Sequence, residues 1–324
     1  DPYFRSGCHN MLTFSMVYAY SERFMLVLSH DEVVHGKASM LGKMPGTREE
    51  QFANLKASYG YMMCHPGKKL LFMGQDIGEY DEWNENREVE WYLTEEADHK
   101  GLQEFVKALN HLYTSAPALS VKDTSWDGFE WIDCISANDC ILSFVRKGKK
   151  DEDMLLVVVN FANVERKGFQ VGVPLNGKYK EILNSDAKEY GGQGRTNPRV
   201  KTAAEEEWDG REYSIRMTQA PLSISIFSYQ PYTKEELKEI ARKKAEKARK
   251  EKEAARKKKS AKKTASGRSA KTLKEELEEK VFAAEAKISE NGEVEKPVRV
   301  TKPRKRMTET AETTETEENG EGTE

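Results

Sequence analysis

Residues 29–37 read Ser-His-Asp-Glu-Val-Val-His-Gly-Lys and bring two imidazoles, two carboxylates, a hydroxyl and an ammonium into one short run. The run directly follows Phe24-Met25-Leu26-Val27-Leu28. A brief apolar stretch bounded by polar residues suits a strand buried on both faces, as in parallel sheets. Asp31 and His30 therefore stand at the C-terminal end of such a strand. In a parallel barrel that end is where loops converge on one mouth and catalytic side chains sit. An ionised Asp placed there stabilises positive charge that develops during a reaction. A structural reading competes with this one. Ser29-x-x-Glu32 ahead of an apolar pair has the form of a capping box, under which these residues only start a helix. Local pattern leaves the two readings about even.

The elements that must position this run follow from the pattern around it. Residues 8–20 predict a helix, with Met11, Leu12, Phe14, Met16, Val17 and Tyr18 on a mostly buried face. After the Pro45-Gly46 turn, residues 48–64 predict a helix burying Phe52, Leu55, Ala57, Tyr59 and Met62, stopped by His65-Pro66-Gly67. A second buried strand follows at Lys69–Met73, ending at Gly74 and opening into a polar loop, 75–90, that contains Trp83. Residues 99–114 predict another helix, with Leu102, Phe105, Val106, Leu109, Leu112 and Tyr113 on one side. Strand–loop–helix occurring twice argues for a parallel α/β sheet or barrel.

From about 118 to 231 the character changes to seven short strands: Phe129–Cys134, Ile141–Arg146, Met154–Phe161, Gly168–Val173, Tyr179–Leu183, Tyr213–Met217 and Leu222–Tyr229. With Gly, Asn, Asp and Lys turns between them, they argue for an all-β sandwich. The rest is different again. Residues 234–263 carry 15 Lys/Arg against 6 Glu, residues 271–288 repeat apolar side chains at Leu273, Leu277, Val281, Ala284 and Ile288, and residues 308–324 hold seven Glu with no Lys or Arg. Blocks of like charge cannot build a core, so a disordered or isolated, solvated helical tail is expected.

The 324 residues allow two or three domains. The net charge of −3 averages over strongly unequal regions. No apolar run approaches the roughly 18 residues of a membrane span. Cys8, Cys64, Cys134 and Cys140 match no zinc or redox spacing and read as reduced thiols, although Cys134 and Cys140 could face each other across a hairpin. The sequence starts at Asp1, and Met11–Tyr18 is neither a disordered leader nor a signal peptide, so a start inside a larger protein is expected.

Ser29–Lys37 after an apolar strand resembles the fourth conserved region of the α-amylase superfamily, in the version carried by bacterial-type 1,4-α-glucan (glycogen) branching enzymes. Amylases usually share the His-Asp pair but not the Glu-Val-Val-His-Gly-Lys that follows. Met44-Pro45-Gly46, Phe52-Ala53-Asn54-Leu55, residues 66–74 and Glu82-Trp83-Asn84 resemble the same enzymes, as do Gly128-Phe129-Glu130-Trp131 and residues 181–186. The likeness covers about residues 1–231. Gln75-Asp76 departs from it, since Asn-Glu is expected there.

This resemblance implies an α/β then all-β architecture. Residues 1–115 would be the C-terminal part of a (β/α)8 TIM barrel holding strands seven and eight. Residues 116–232 would be an antiparallel β-sandwich, and 233–324 a charged tail. Two barrel strands leave unpaired edges, so 1–115 is not expected to fold stably alone. The implied reaction is retaining glycosyl transfer, in which an α-1,4 linkage is cleaved and the oligoglucan passes to a 6-hydroxyl. Asp31 would be the third carboxylate, stabilising the transition state, and His30 would donate a hydrogen bond to the same sugar. The nucleophilic Asp and acid Glu come earlier in the family's order. Asp76, Glu79 and Asp81 follow the second strand, but the motif gives them no such role, so the chain alone should be inactive.

His35, Lys37 and Trp83 are further candidates for substrate contact. A loop-stabilising role is as good a reading for the first two, and packing of the long loop for Trp83. His65, His99 and His111 read as surface or capping residues. No cofactor or metal is implied. The expected partner is α-1,4-glucan or glycogen, in the cytoplasm, with no nucleic acid or membrane and no partner assigned to the tail. The alternatives are an α-glucan hydrolase of the same superfamily or a non-catalytic glucan-binding protein.

Overall fold

In a computed structural model the described residues are 2–290. They begin with a 3-10 stretch at Pro2–Cys8, a single α-turn α1 (Asn10–Thr13) and a 3-10 turn at Phe14–Val17. The helix expected over 8–20 is thus broken into short turns, and its face is not buried. Met16 is covered, but Met11, Phe14, Val17 and Tyr18 are exposed. Strand β1 (Met25–Leu28) follows, then α2 (Arg48–Cys64), β2 (Lys68–Leu71) and α3 (Ala97–Ser115). β1 and β2 pair in parallel, from Met25 opposite Lys68 to Leu28 opposite Leu71. The expected strand–loop–helix order is therefore present twice.

The pattern predicts both strands buried on both faces, and here the structure differs. Leu28 and Leu71 pack on the core, whereas Met25, Val27, Leu70 and Met73 are exposed. Leu28 and Leu71 join the core that the helices share, and the other face, with Met25, Val27 and Leu70, stays partly open among the described residues.

Thr47 starts α2 with a complete capping box, its side chain accepting the Glu50 N–H while Glu50 accepts the Thr47 N–H. α2 has no single apolar stripe because it is enclosed on several sides. Phe52, Leu55, Tyr59 and Met63 are buried, and so are Asn54, Lys56 and Gly60. Gly60 lets the helix lie on the sandwich, since a Cβ there would sit 2.5 Å from Ile224 Cγ2. α3 is amphipathic as its spacing predicts, burying Leu102, Phe105, Val106 and Leu109.

The seven expected strands all form, as β3 (Phe129–Asp133), β4 (Ile141–Arg146), β5 (Leu155–Asn160), β6 (Arg166–Val173), β7 (Lys178–Asn184), β9 (Tyr213–Gln219) and β10 (Ser223–Gln230). A two-residue strand, β8 (Lys201–Thr202), is added beside β7. The order β3-β4-β5-β10-β7-β8 makes one antiparallel sheet, and β6-β9 a second. The large sheet is covered on both faces. Val145, Leu156, Val158 and Phe227 meet Val171, Ile215 and Met217 of the small sheet. Phe144, Val157, Ile224 and Ile226 join Leu55, Tyr59 and Leu109 of the helices in one core. This double burial explains why β4 and β5 have no exposed residue.

One buried ion pair ties the two parts together. The Arg146 side chain is fully buried on β4, with Nη2 2.9 Å from Asp123 Oδ1, Nη1 2.7 Å from the Cys64 carbonyl and Nε 3.2 Å from that of Gly128. Asp123 also accepts the Gly67 N–H at 3.2 Å. Close by, Lys69 Nζ donates to the His65 carbonyl at 2.6 Å. Burial, reinforced by Arg146, drops the Lys69 amine to about 7. His65 and His99 are buried rather than on the surface. His65 lies between Ser15 Oγ (2.8 Å) and the Pro66 carbonyl (2.9 Å), and burial lowers it to about 4. His99 Nδ1 is 2.7 Å from the Ile77 carbonyl. The four cysteines are free.

The described residues up to Ala241 form one compact unit, and those from Arg242 onward belong to a second. Helix α4 (Lys234–Glu290) begins in the first, where Thr233 caps it and Glu236 pairs with Lys178 at 2.8 Å. In the second unit α4 carries i,i+4 ion pairs such as Glu246–Lys250 (2.7 Å) and Glu253–Lys257 (3.0 Å), and it exposes Leu273, Leu277 and Val281. The acidic segment 308–324 lies outside the described residues.

Candidate functional site

At the end of β1 the backbone of Ser29 stays extended, and its Oγ accepts the Asp31 N–H at 3.2 Å. That bond starts a single 3-10 turn over His30–Glu32. The two sequence readings of this run therefore coexist, because a strand end and a capped turn share the same residues. The capping box itself is not made, because Ser29 Oγ caps the Asp31 N–H and the Glu32 N–H goes to the Ser29 carbonyl. Glu32 does not reach back to Ser29 but lies 3.6 Å from Lys43 Nζ. The tight turn sets His30 and Asp31 side by side, with His30 Nε2 3.5 Å from Asp31 Oδ1. Their side chains are 50% and 71% exposed, which leaves both open to a ligand.

The loop that follows is shaped by two left-handed residues, Gly36 (φ 84°) and Ala38 (φ 62°). An L-residue such as Ala resists that conformation, so something must hold it there. Glu82, from the loop after β2, does so. Its carboxylate accepts the Ala38 N–H at 2.7 Å and the Gly36 N–H at 3.0 Å. Those two bonds hold the Glu82 carboxyl below the usual carboxylate range. The next residue extends the link, since the Trp83 N–H donates to the Val33 carbonyl at 2.8 Å. The Trp83 ring packs edge-on to His30 (5.6 Å between centroids) and Phe72 (5.5 Å), and its Nε1 is buried without a partner among the described residues.

The structure thus gathers all five sequence candidates into one pair of loops at the C-terminal ends of β1 and β2. They are not equivalent. Lys37 turns back on its own loop, with Nζ 2.6 Å from the Asp31 carbonyl. The fully exposed His35 has Nδ1 3.4 Å from Glu82. Asp81 is occupied by Arg87 at 2.8 Å. Burial pushes the Glu79 carboxyl up, while the Glu90 N–H, 2.8 Å away, opposes the shift. At the departure from the expected Asn-Glu, Gln75 is buried and turns the chain at the end of β2, its Oε1 accepting the Phe72 N–H at 3.1 Å. Sequence reasoning placed Glu82 in the Glu82-Trp83-Asn84 stretch but gave it no role in the site, because its partners lie in the other loop.

Among the described residues no group of His, Cys, Asp and Glu is arranged to hold a metal ion. No described helix is long and apolar enough to cross a membrane.

Comparison with known proteins places this geometry in context. Residues 131–230 match the family "Alpha amylase, C-terminal all-beta domain". The chain is 48% identical over 241 residues to the 1,4-alpha-glucan branching enzyme GlgB of Geobacillus stearothermophilus, covering 74% of this chain and 37% of that protein. It is 47% identical over 230 residues to GlgB of Aquifex aeolicus, covering 71% of this chain and 36% of that one. The chain therefore spans little more than a third of the length of these relatives. Among solved structures, AmyP in complex with maltose aligns with a TM-score of 0.44 and 15% identity, over 65% of this chain and 41% of that one. The resemblance to branching enzymes read from the sequence is borne out by these relatives, as is the all-β domain.

Proposed function

We propose that this chain supplies the closing part of a 1,4-α-glucan branching enzyme of the bacterial type, and that Asp31 and His30 are its contribution to the chemistry. The reading is carried by identity of 47–48% to branching enzymes over most of the chain. The position of Asp31 at the C-terminal end of a parallel strand supports it. In this account β1 and β2 are strands seven and eight of a (β/α)8 barrel. The exposed apolar face of Met25, Val27 and Leu70 is the part that the remaining strands cover. Residues 1–115 then belong to the barrel, 116–232 to the sandwich and 233–324 to the tail.

The reaction is retaining transfer. A carboxylate attacks the anomeric carbon of an α-1,4 linkage while a carboxylic acid protonates the departing oxygen. The 6-hydroxyl of another glucose unit then displaces the enzyme carboxylate, its proton passing to the group that had acted as acid, and an α-1,6 branch results. Asp31, exposed on its turn, accepts hydrogen bonds from ring hydroxyls of the reacting glucose and stabilises its oxocarbenium-like charge. His30 donates to the same sugar. His35 and Lys37 line the approach, and Trp83 backs His30. The substrate is α-1,4-glucan, the product belongs to glycogen synthesis, and the setting is the cytoplasm. The two residues that make and break the bond lie outside this chain, so the 324 residues alone transfer nothing.

The test is a graft in which residues 1–231 replace the matching C-terminal part of the Geobacillus stearothermophilus enzyme. The graft is expected to form new α-1,6 branches in amylose, scored after debranching. A folded graft that releases reducing ends without branches would instead mark a hydrolase.

A further inference from the structure

We propose that Glu82 is a positioning residue for the Ser29–Lys37 motif, acting as a clamp that carries the order of the second loop into the first. The inference rests on the functional reading above for its effect on catalysis, though not for the clamp itself.

The argument starts from the backbone. Val33–Ala38 has no secondary structure beyond turns, and Ala38 holds a left-handed conformation that is unfavourable for an L-residue. Such a conformation persists only where its surroundings impose it. Three bonds from the second loop do so: the two Glu82 oxygens on the Gly36 and Ala38 N–H groups, and the Trp83 N–H on the Val33 carbonyl. They converge on one short segment from two adjacent residues, so they act as one unit. Hydrogen bonds to a charged acceptor are also the stronger kind.

What the segment carries gives the clamp its consequence. Lys37 lies between the two clamped residues, and its Nζ donates to the Asp31 carbonyl at 2.6 Å. His30 rests edge-on against Trp83. Both exposed side chains assigned to the sugar are therefore steadied from the second loop, one through the Lys37 bond and one through the indole. Among the described residues, the polar groups that lie against the Asp31 carboxylate are the hydroxyl of Ser29 and the ring of His30. Without Glu82 the loop retains one bond to its neighbour, and the Lys37 tether no longer has a fixed origin. Glu82 touches no reacting atom in this scheme, so its effect falls on the population of the productive Asp31 geometry.

Two measurements test this. In the 324-residue chain, Glu82→Ala is expected to speed hydrogen exchange at the Gly36 and Ala38 amides by roughly tenfold or more, the loss of a charged hydrogen bond. Exchange in β4, β5 and β10 should not change. Glu82→Gln, which keeps one acceptor oxygen, should recover part of that protection. Unchanged exchange at Gly36 and Ala38 in Glu82→Ala overturns the clamp. In the graft described above, Glu82→Ala is expected to lower kcat about tenfold with KM within about twofold, as for lost transition-state positioning. Glu82→Gln should again recover part of the loss. If Asp31→Asn abolishes branching while Glu82→Ala leaves kcat untouched, the clamp has no catalytic role and the inference falls. If Asp31→Asn itself leaves branching intact, the functional reading has failed, and the exchange result still decides the clamp.

Discussion

The junction between the helices and the sandwich and the pair of loops at the candidate site are built on opposite terms. At the junction, Arg146 and Asp123 are almost completely buried, α2 touches β10 through a glycine, and one apolar core runs from Leu55 to Ile226. At the site, His30 and Asp31 are more than half exposed on average, and order comes from a few hydrogen bonds between loops. The difference teaches where each kind of residue spends its interactions. The junction residues spend most of their interactions on one another and are closed off from a ligand by burial. The site residues are held by their backbones, so that imidazole and carboxylate remain available.

The comparison can be broken most forcefully at Arg146. Arg146→Ala leaves Asp123 buried without its main partner, together with two carbonyls, and is expected to cost about 3–5 kcal/mol in urea unfolding. His30→Ala and Asp31→Asn, at exposed positions, are expected to stay within about 0.5 kcal/mol of the parent. Similar losses at both places would mean that the site loops are part of the core after all.

A gentler perturbation is pH. Burial holds His65 at about 4, below its ordinary 6.5, so the folded state resists its protonation. The unfolded chain binds more protons in that window, and stability should therefore rise with pH from about 4 to 6.5. Lys69 and Lys56 are lowered by burial to about 7 and about 8, from 10.5. By the same sign, their contribution grows as pH rises from those values toward 10.5. Unfolding midpoints at constant ionic strength should show both rises, and His65→Phe should flatten the lower one. A lower limb that survives in His65→Phe would assign it to other groups.

The sequence made the regular elements easy to read. The Pro45-Gly46 turn marked the approach to α2, the Pro66-Gly67 stop marked its end, and seven β-rich runs became seven strands. Burial was harder to read. Met11, Phe14, Val17, Met25 and Leu70 are apolar types that local pattern puts inside, yet they are exposed, because burial depends on neighbours that local pattern does not contain. His65 and His99 erred the other way, since a polar type inside a helix or turn gives no sign of the carbonyl that receives it. The motif itself was legible in residue types. Its support was not, because Glu82 lies 44 residues from Ala38 and only the pairing of β1 with β2 brings their loops together.

The central claim is that Asp31 serves the reaction as a carboxylate helper on an exposed turn and contributes little to the fold. Branch formation by the graft carrying Asp31→Asn, measured beside its unfolding midpoint, tests this most directly. The account expects branching to fall by roughly 100-fold or more, in the range for losing an electrostatic stabiliser, with the midpoint unchanged. Branching within a few fold of the parent graft would contradict it.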